Sequence, residues 1–157
     1  MANPFAMIKH LVNALFDEQA LSTITQLPLP NVTTGIVTPT TVTAGASYAN
    51  GTTVQVDSGT GVTTNMWCLG ITILNSATVT TDAEIDVGTG ASGSESWQGT
   101  VVVKAPAGTA ADQSTFLPFA VPIFLPEGVR VATRARGSAA TAFDIALQVK
   151  TGMKPAD

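Results

Sequence analysis

From residue 50 onward the chain is written in short runs of Val, Ile, Thr and aromatic residues, broken by Gly, Ser, Asn and Pro. The runs are "TTVQVD", "MWCLGITIL", "ATVTTDAEIDVG", "SWQGTVVVK", "LPFAVPIFL", "VRVATRAR" and "AFDIALQVK". β-Branched and aromatic segments of this length, separated by turn formers, specify an all-β domain of the sandwich or barrel kind. The fold expected over 51–152 is therefore mainly β, a sandwich or a barrel.

Two different textures precede it. In residues 1–20, Phe5, Ile8, Leu11, Val12, Leu15 and Phe16 recur at helical spacing, with Asn3 placed to cap and Pro4 at the first helical position. The spacing predicts an N-terminal amphipathic helix. Its apolar stripe packs on its own domain, or on a neighbouring subunit or another protein. Residues 21–50 hold three prolines, with eight threonines and no charge, which suits an extended arm or edge strand better than a helix.

Composition then narrows the function. At 157 residues the chain suits one domain with a real core. Only 11% of it is charged, against about 25% in an average soluble domain. So little charge promotes association, which fits a protein that lives in an assembly. A net charge of −4 argues against direct binding of nucleic acid. No stretch reaches the roughly 18–20 apolar residues of a membrane span. Lys9, His10, Asp17 and Glu18 interrupt the N-terminal region where a signal peptide needs apolar and small residues, so synthesis in the cytoplasm without an export signal is expected.

Arg130, Arg134 and Arg136 are three of only seven basic residues. Strand alternation puts them on one face with Ala132, leaving Val129, Val131, Thr133 and Ala135 on the other. In the next run, Phe143, Ile145, Leu147 and Val149 face the core, and Asp144, Gln148 and Lys150 face out. The connector "GSAAT" is of hairpin length. Symmetric pairing about it sets Val129 opposite Val149, Val131 opposite Leu147 and Ala135 opposite Phe143. On the outer face it sets Arg134 opposite Asp144 and Arg130 opposite Gln148. Asp82, Glu84 and Asp86 form a second, acidic ladder of one parity. The two ladders can meet within a sheet or stay solvated, or they can meet across subunits; an anionic ligand is the third possibility.

Signs of catalysis are few. The sole His10 lies in the helical segment, apart from any Ser or Cys nucleophile of the β region. One His and one Cys do not make a zinc site, and Asp82, Glu84 and Asp86 lack the calcium-loop pattern. "GTGASG" lacks the Lys of a phosphate loop and no helix pattern follows it. Cys68 and Trp67 read as core; Trp97 follows a flexible loop and is ambiguous. No catalytic residue, cofactor or metal site is expected, and the chain reads as a non-enzyme.

Three segments together carry a likeness. "AEIDVGTGASGSE" (83–95) resembles a strand followed by a GxGxxGSE loop in small β-sandwich structural proteins of tailed bacteriophages. "LPFAVPIFLPEGVRVATRARGSAATAFDIALQV" (117–149) resembles their closing pattern, with "P-x-G-x-R" before an arginine-bearing strand. "MWCLGITIL" stands where that pattern has its Trp-bearing strand. The resemblance implies an antiparallel, jelly-roll-like β-sandwich and a virion component: a homotrimeric capsid decoration (cement) protein bound to the major capsid protein or another virion protein. The N-terminal segment would grip the shell or a neighbouring subunit. On that reading Phe5, Ile8, Leu11, Val12, Leu15, Phe16, Arg130, Arg134 and Arg136 are the candidate contacts, and Asp82, Glu84, Asp86 and Asp144 the charge partners. The alternative is a tail or fibre module that recognises a host glycan. It requires Trp97, Tyr48 or Phe119 to cluster, exposed, with polar groups.

Overall fold

Alternation decides which residues turn inward, and the inward residues build the core. The computed structural model describes residues 26–29, 39–74, 81–104 and 115–151. They form nine strands: β1 (Gln26–Leu29), β2 (Thr40–Gly45), β3 (Val54–Asp57), β4 (Met66–Ile73), β5 (Ala83–Thr89), β6 (Ser96–Val103), β7 (Thr115–Leu125), β8 (Val131–Gly137) and β9 (Ala142–Thr151). A single turn of 3-10 helix, Ala46–Tyr48, follows β2. The predicted N-terminal helix lies outside the described residues.

Strands run in the order β6-β5-β8-β2-β9-β4-β7, with β1 added beside β9 and β3 beside β8. The protein is mainly β, and its sheet curls until it is nearly closed. Its end strands meet side chain to backbone: Gly99 on β6 lies beneath Phe119 and Ile123 of β7. All pairings are antiparallel except β2 with β8.

β2 joins the two halves of the sheet. Thr40–Thr43 pair antiparallel with Ala142–Ile145 of β9. Ala44 and Gly45 then pair parallel with Ala135 and Arg136 of β8. Residues 26–29 and 40–45, which composition assigns to an arm, are thus strands of the body, and β2 stands at its centre.

That insertion overturns the expected hairpin. β8 and β9 are consecutive in sequence, yet β2 lies between them. Val129 does not face Val149, Val131 does not face Leu147 and Ala135 does not face Phe143. Val131 and Ala135 instead face Thr89 and Ile85 of β5, while Phe143 faces Val42. The inward and outward faces are as alternation sets them, because parity is local. The neighbour is not local, and a five-residue connector is long enough to step over one strand.

The core runs through Val42, Ile71, Ile73, Ile85, Val87, Leu125, Val131, Phe143, Ile145 and Leu147, all at most 1% exposed. Full burial of each large side chain contributes on the order of 1.5–3 kcal/mol. Cys68 is buried among them. Trp67 is not core: Met66 and Cys68 turn inward, so Trp67 between them turns outward and is half-buried. It meets Phe124 with ring centroids 5.2 Å apart and planes tilted by 55°. β7 carries Pro118 and Pro122 and loses its pairing with β4 between them, the placement that an edge strand tolerates.

Burial pushes the Cys68 thiol up to about 12, against a smaller lowering by a hydrogen bond with the backbone of Gly70. Native protein at pH 8 should therefore take no label from a thiol-specific chromogenic reagent, and modification should follow global unfolding. Fast labelling of the native chain in the absorbance assay would show the core to be open there.

Candidate functional site

The outer face of β6-β5-β8-β3 gathers most of the charge of the described residues, and it does so in rows. β5 pairs antiparallel with β8 so that Glu84 faces Arg136, Asp86 faces Arg134 and Gly88 faces Ala132. β6 extends the rows with Val102, Thr100 and Trp97.

Asp86 is the centre of the arrangement. Its side chain is 6% exposed, and its Oδ2 accepts from Arg134 Nε at 3.0 Å and Arg136 Nη1 at 3.2 Å. Oδ1 accepts from Thr100 Oγ1 at 2.7 Å. Arg136 also reaches Glu84, with Nη2 at 2.6 Å. That hydrogen bond, more than the nearby charges, raises the Arg136 guanidinium above its ordinary pKa. At the open end of the ladder Lys104 donates to Asp82 at 2.6 Å, which raises the lysine too.

The other end is closed by a loop. Gly90 and Gly93 adopt φ of 118° and 81°, and their turn brings Glu95 back over β8. Arg130 Nη1 donates to Glu95 Oε1 at 2.8 Å and to the Gly90 carbonyl at 3.1 Å, while its Nε donates to Gln55 Oε1 at 2.9 Å. The segments "GTGASGSE" and "PEGVR", each part of the phage-protein likeness, are therefore physically joined through Glu95 and Arg130. The backbone amide of Glu95 itself, then Arg130, hold the Glu95 carboxyl below its usual range.

Trp97 owes its place to a bulge. Simple alternation from Val101 and Gly99 would send it inward. The register shifts between Val87 and Gly88 opposite Gln98, and Trp97 turns to the outer face. There its indole lies over Gly88, where a Cβ would come within 2.8 Å of the ring. Arg134 covers the ring with its guanidinium carbon 4.1 Å from the centroid, a cation–π contact.

All three arginines are thus answered within the chain, and the eight ladder charges (Arg130, Arg134, Arg136 and Lys104 against Asp82, Glu84, Asp86 and Glu95) cancel. No buried side-chain polar atom among the described residues lacks a partner. A face with no surplus charge has little to attract an anion. The expected Arg134–Asp144 and Arg130–Gln148 pairs are replaced by Arg134–Asp86 and Arg130–Glu95. Asp144 sits on β9, where Thr41 Oγ1 donates to it at 2.6 Å, and Gln148 donates to Thr72 at 2.9 Å. Phe5, Ile8, Leu11, Val12, Leu15 and Phe16 lie outside the described residues.

The aromatics named for glycan stacking do not come together. Phe119 is buried, at 7% exposure. Tyr48 is exposed on the turn beside Ser138, held at φ 58° after Ser47 at φ 56°. Trp97 lies at the level of Ala132, five residues away along β8 from Gly137, or about 17 Å.

The opposite outer face, that of β9-β4-β7, has the contrary character. Its rows are Lys150, Trp67 and Phe124, then Gln148, Gly70 and Pro118, then Ala146, Thr72 and Phe116, and Asp144 lies one row beyond. Phe116 is 48% exposed and leans over Gly70, where a Cβ would come within 2.8 Å of its ring. This face escaped the sequence reading because the three aromatics come from two strands separated by forty residues. Period two in "MWC" was the signal available for Trp67.

No helix among the described residues is long and apolar enough to cross a membrane, and no group of three or more His, Cys, Asp or Glu among them could hold a metal ion. No protein-family model, curated protein or solved structure matches this chain. Fold and surface define it as a mainly β protein with one neutralised charged face and one aromatic face.

Asp86→Ala removes the carboxylate that pairs with Arg134 and one of the two that pair with Arg136, and should cost about 2–4 kcal/mol, whereas Asp82→Ala at the exposed end should leave stability unchanged within error. Urea denaturation of both variants checks this, and equal losses would contradict the central role of Asp86. The lowered Glu95 carboxyl means that the contacts of its charged form, its own backbone amide first and then Arg130, stabilise the fold above the ordinary glutamate value of 4.5 and are lost as pH falls through the lowered value. Glu95→Gln should therefore flatten the acid limb of the stability–pH curve while lowering stability at pH 7. An unchanged acid limb in thermal melts from pH 7 to pH 3 would refute the linkage.

Proposed function

We propose that this chain is a non-enzymatic virion structural protein, a capsid decoration (cement) protein that binds and stabilises a phage shell as a homotrimer. In this reading the β body is a jelly-roll-like sandwich, and the N-terminal helix grips a neighbouring subunit or the major capsid protein. The protein is made in the host cytoplasm and ends in the virion.

The observation that carries the reading is the separation of the two outer faces. Charge is spent in internal pairs on β6-β5-β8-β3, while Trp67, Phe124, Phe116 and Pro118 stand on β9-β4-β7. A charge-poor chain with an aromatic face is suited to burying apolar surface against other chains, at roughly 25 cal/mol per Å² before the costs of association. The Glu95–Arg130 pair adds support, since it ties together two of the segments that resemble phage structural proteins. The glycan-module reading draws no comparable support, because its aromatics are apart.

The test is co-sedimentation with empty shells assembled from the major capsid protein of the same virus. The full chain should bind and raise the temperature at which shells come apart. A chain lacking residues 1–20 should keep its β body, whose described core begins at Leu29, and lose about tenfold or more in shell affinity. Full-strength binding by the truncated chain would remove the N-terminal grip. No shell binding by the full chain would overturn the decoration reading.

A further inference from the structure

We infer that the outer face of β9-β4-β7 is the seat for the N-terminal apolar segment of a neighbouring copy of this chain. The inference deepens the decoration reading and rests on its premise that the protein is an oligomer.

Four observations point to this occupant. The first is where the chain outside the described residues ends. Residues 1–25 lead into Gln26, which pairs with Lys150, and Lys150 shares its row with Trp67 and Phe124. The apolar segment is therefore tethered at one end of such a face in every copy.

The second is direction. β1 runs antiparallel to β9, from Lys150 toward Leu147, so Gln26 stands at the Lys150 end and β1 leads away from it along the face. Seating the segment on its own face would need a full reversal within residues 21–25. Their sequence, "LSTIT", holds no Gly, Pro, Asn or Asp and has three β-branched residues, which favours extension over reversal. Five extended residues reach about 17 Å, far enough to hand the segment to an adjoining molecule.

The third is dimension. A helix over residues 4–20 would be about 25 Å long. The rows from Lys150 to Asp144 span six residues of β9, or about 20 Å, and the stripe of Phe5, Ile8, Leu11, Val12, Leu15 and Phe16 would run their length.

The fourth is charge. The face has Lys150 at one end and Asp144 at the other. The segment has Asp17 and Glu18 toward one end and Lys9 toward the other. One orientation sets Asp17 and Glu18 near Lys150 with Lys9 near Asp144, and the reverse sets like charges together. Register along the face is thereby specified, while Phe116, Trp67 and Phe124 meet the stripe. The charged face of β6-β5-β8-β3 offers no such seat, since its carboxylates and arginines already satisfy one another. The exchange of one element between identical copies is a low-cost route to a closed oligomer.

The test uses the full chain with a photo-crosslinking side chain, Phe116→p-benzoylphenylalanine, prepared as an equal mixture of unlabelled and 15N-labelled protein. After irradiation, a product of two chains should appear, in which the peptide around residue 116 is joined to a peptide from residues 1–20, with both isotopes in one joined pair. Joining confined to a single chain would show that the segment covers its own face, and products without residues 1–20 would show another occupant; either overturns the inference. In parallel, Phe116→Asp should weaken self-association at least tenfold by sedimentation velocity, with the Cys68 thiol still protected as a check on folding. Undiminished association in a folded Phe116→Asp protein would overturn it as well. Shell binding by a chain that proves monomeric would leave shell decoration standing and overturn both the homotrimer and this seat. Crosslinks between copies without shell binding would do the reverse.

Discussion

The fold depends on one strand that serves two neighbours. β2 has six residues; four bond to β9 and the last two to β8. The change of partner comes between Thr43 and Ala44, at the place where the sheet turns from one half into the other. Both side chains that β2 sends inward, Val42 and Ala44, are at most 2% exposed, so its backbone ladder and its core contacts are made together. Without it, Ala142–Ile145 of β9 and Ala135 and Arg136 of β8 would lose their partner, and the two halves of the sheet would lose the strand that joins them.

The surface follows from that curl. Each half has an inward face that is spent on the core and an outward face that must be settled some other way. On the β6-β5-β8-β3 half the settlement is electrostatic. Asp86 accepts from two arginines and a threonine, and Glu84 and Glu95 make the other arginine–carboxylate pairs. Single exposed pairs of this sort contribute little, but a shared carboxylate that is 6% exposed fixes three side chains at once. On the β9-β4-β7 half the outward rows are aromatic and amide-bearing, with glycine at 70 making room for Phe116. The eight ladder charges stand where they cancel, and the aromatic rows stand on the other outer face.

Much of this was legible in the sequence, and particular residues show where legibility stopped. The strand runs, the inward set Phe143, Ile145, Leu147 and Val149, and the outward parity of Arg134 and Arg136 could be read from alternation alone. Trp67 could have been placed outward by the same rule, applied to Met66 and Cys68. Trp97 could not: a single bulged residue, Gln98, reverses parity, and nothing in "SWQGT" announces it. The arginine ladder invited Asp144 as its partner because the connecting segment was short. The partner in the structure, Asp86, was visible as part of an acidic ladder of matching parity, but parity alone left open whether the two ladders meet within the sheet, meet across subunits or stay solvated.

The sequence by itself determined the class of structure and the face on which each strand residue stands, because both depend on a two-residue period that any neighbour must respect. It also set the scarcity of charge, 11% of the residues. Only the tertiary structure decided which strands are neighbours. Hydrogen bonding between strands is indifferent to side-chain identity, and a core can be closed in several strand orders with the same inward residues. The insertion of β2 between β8 and β9 selected one of those orders. That choice gave Arg134 to Asp86 and Arg130 to Glu95, and it set Trp67, Phe116 and Phe124 side by side.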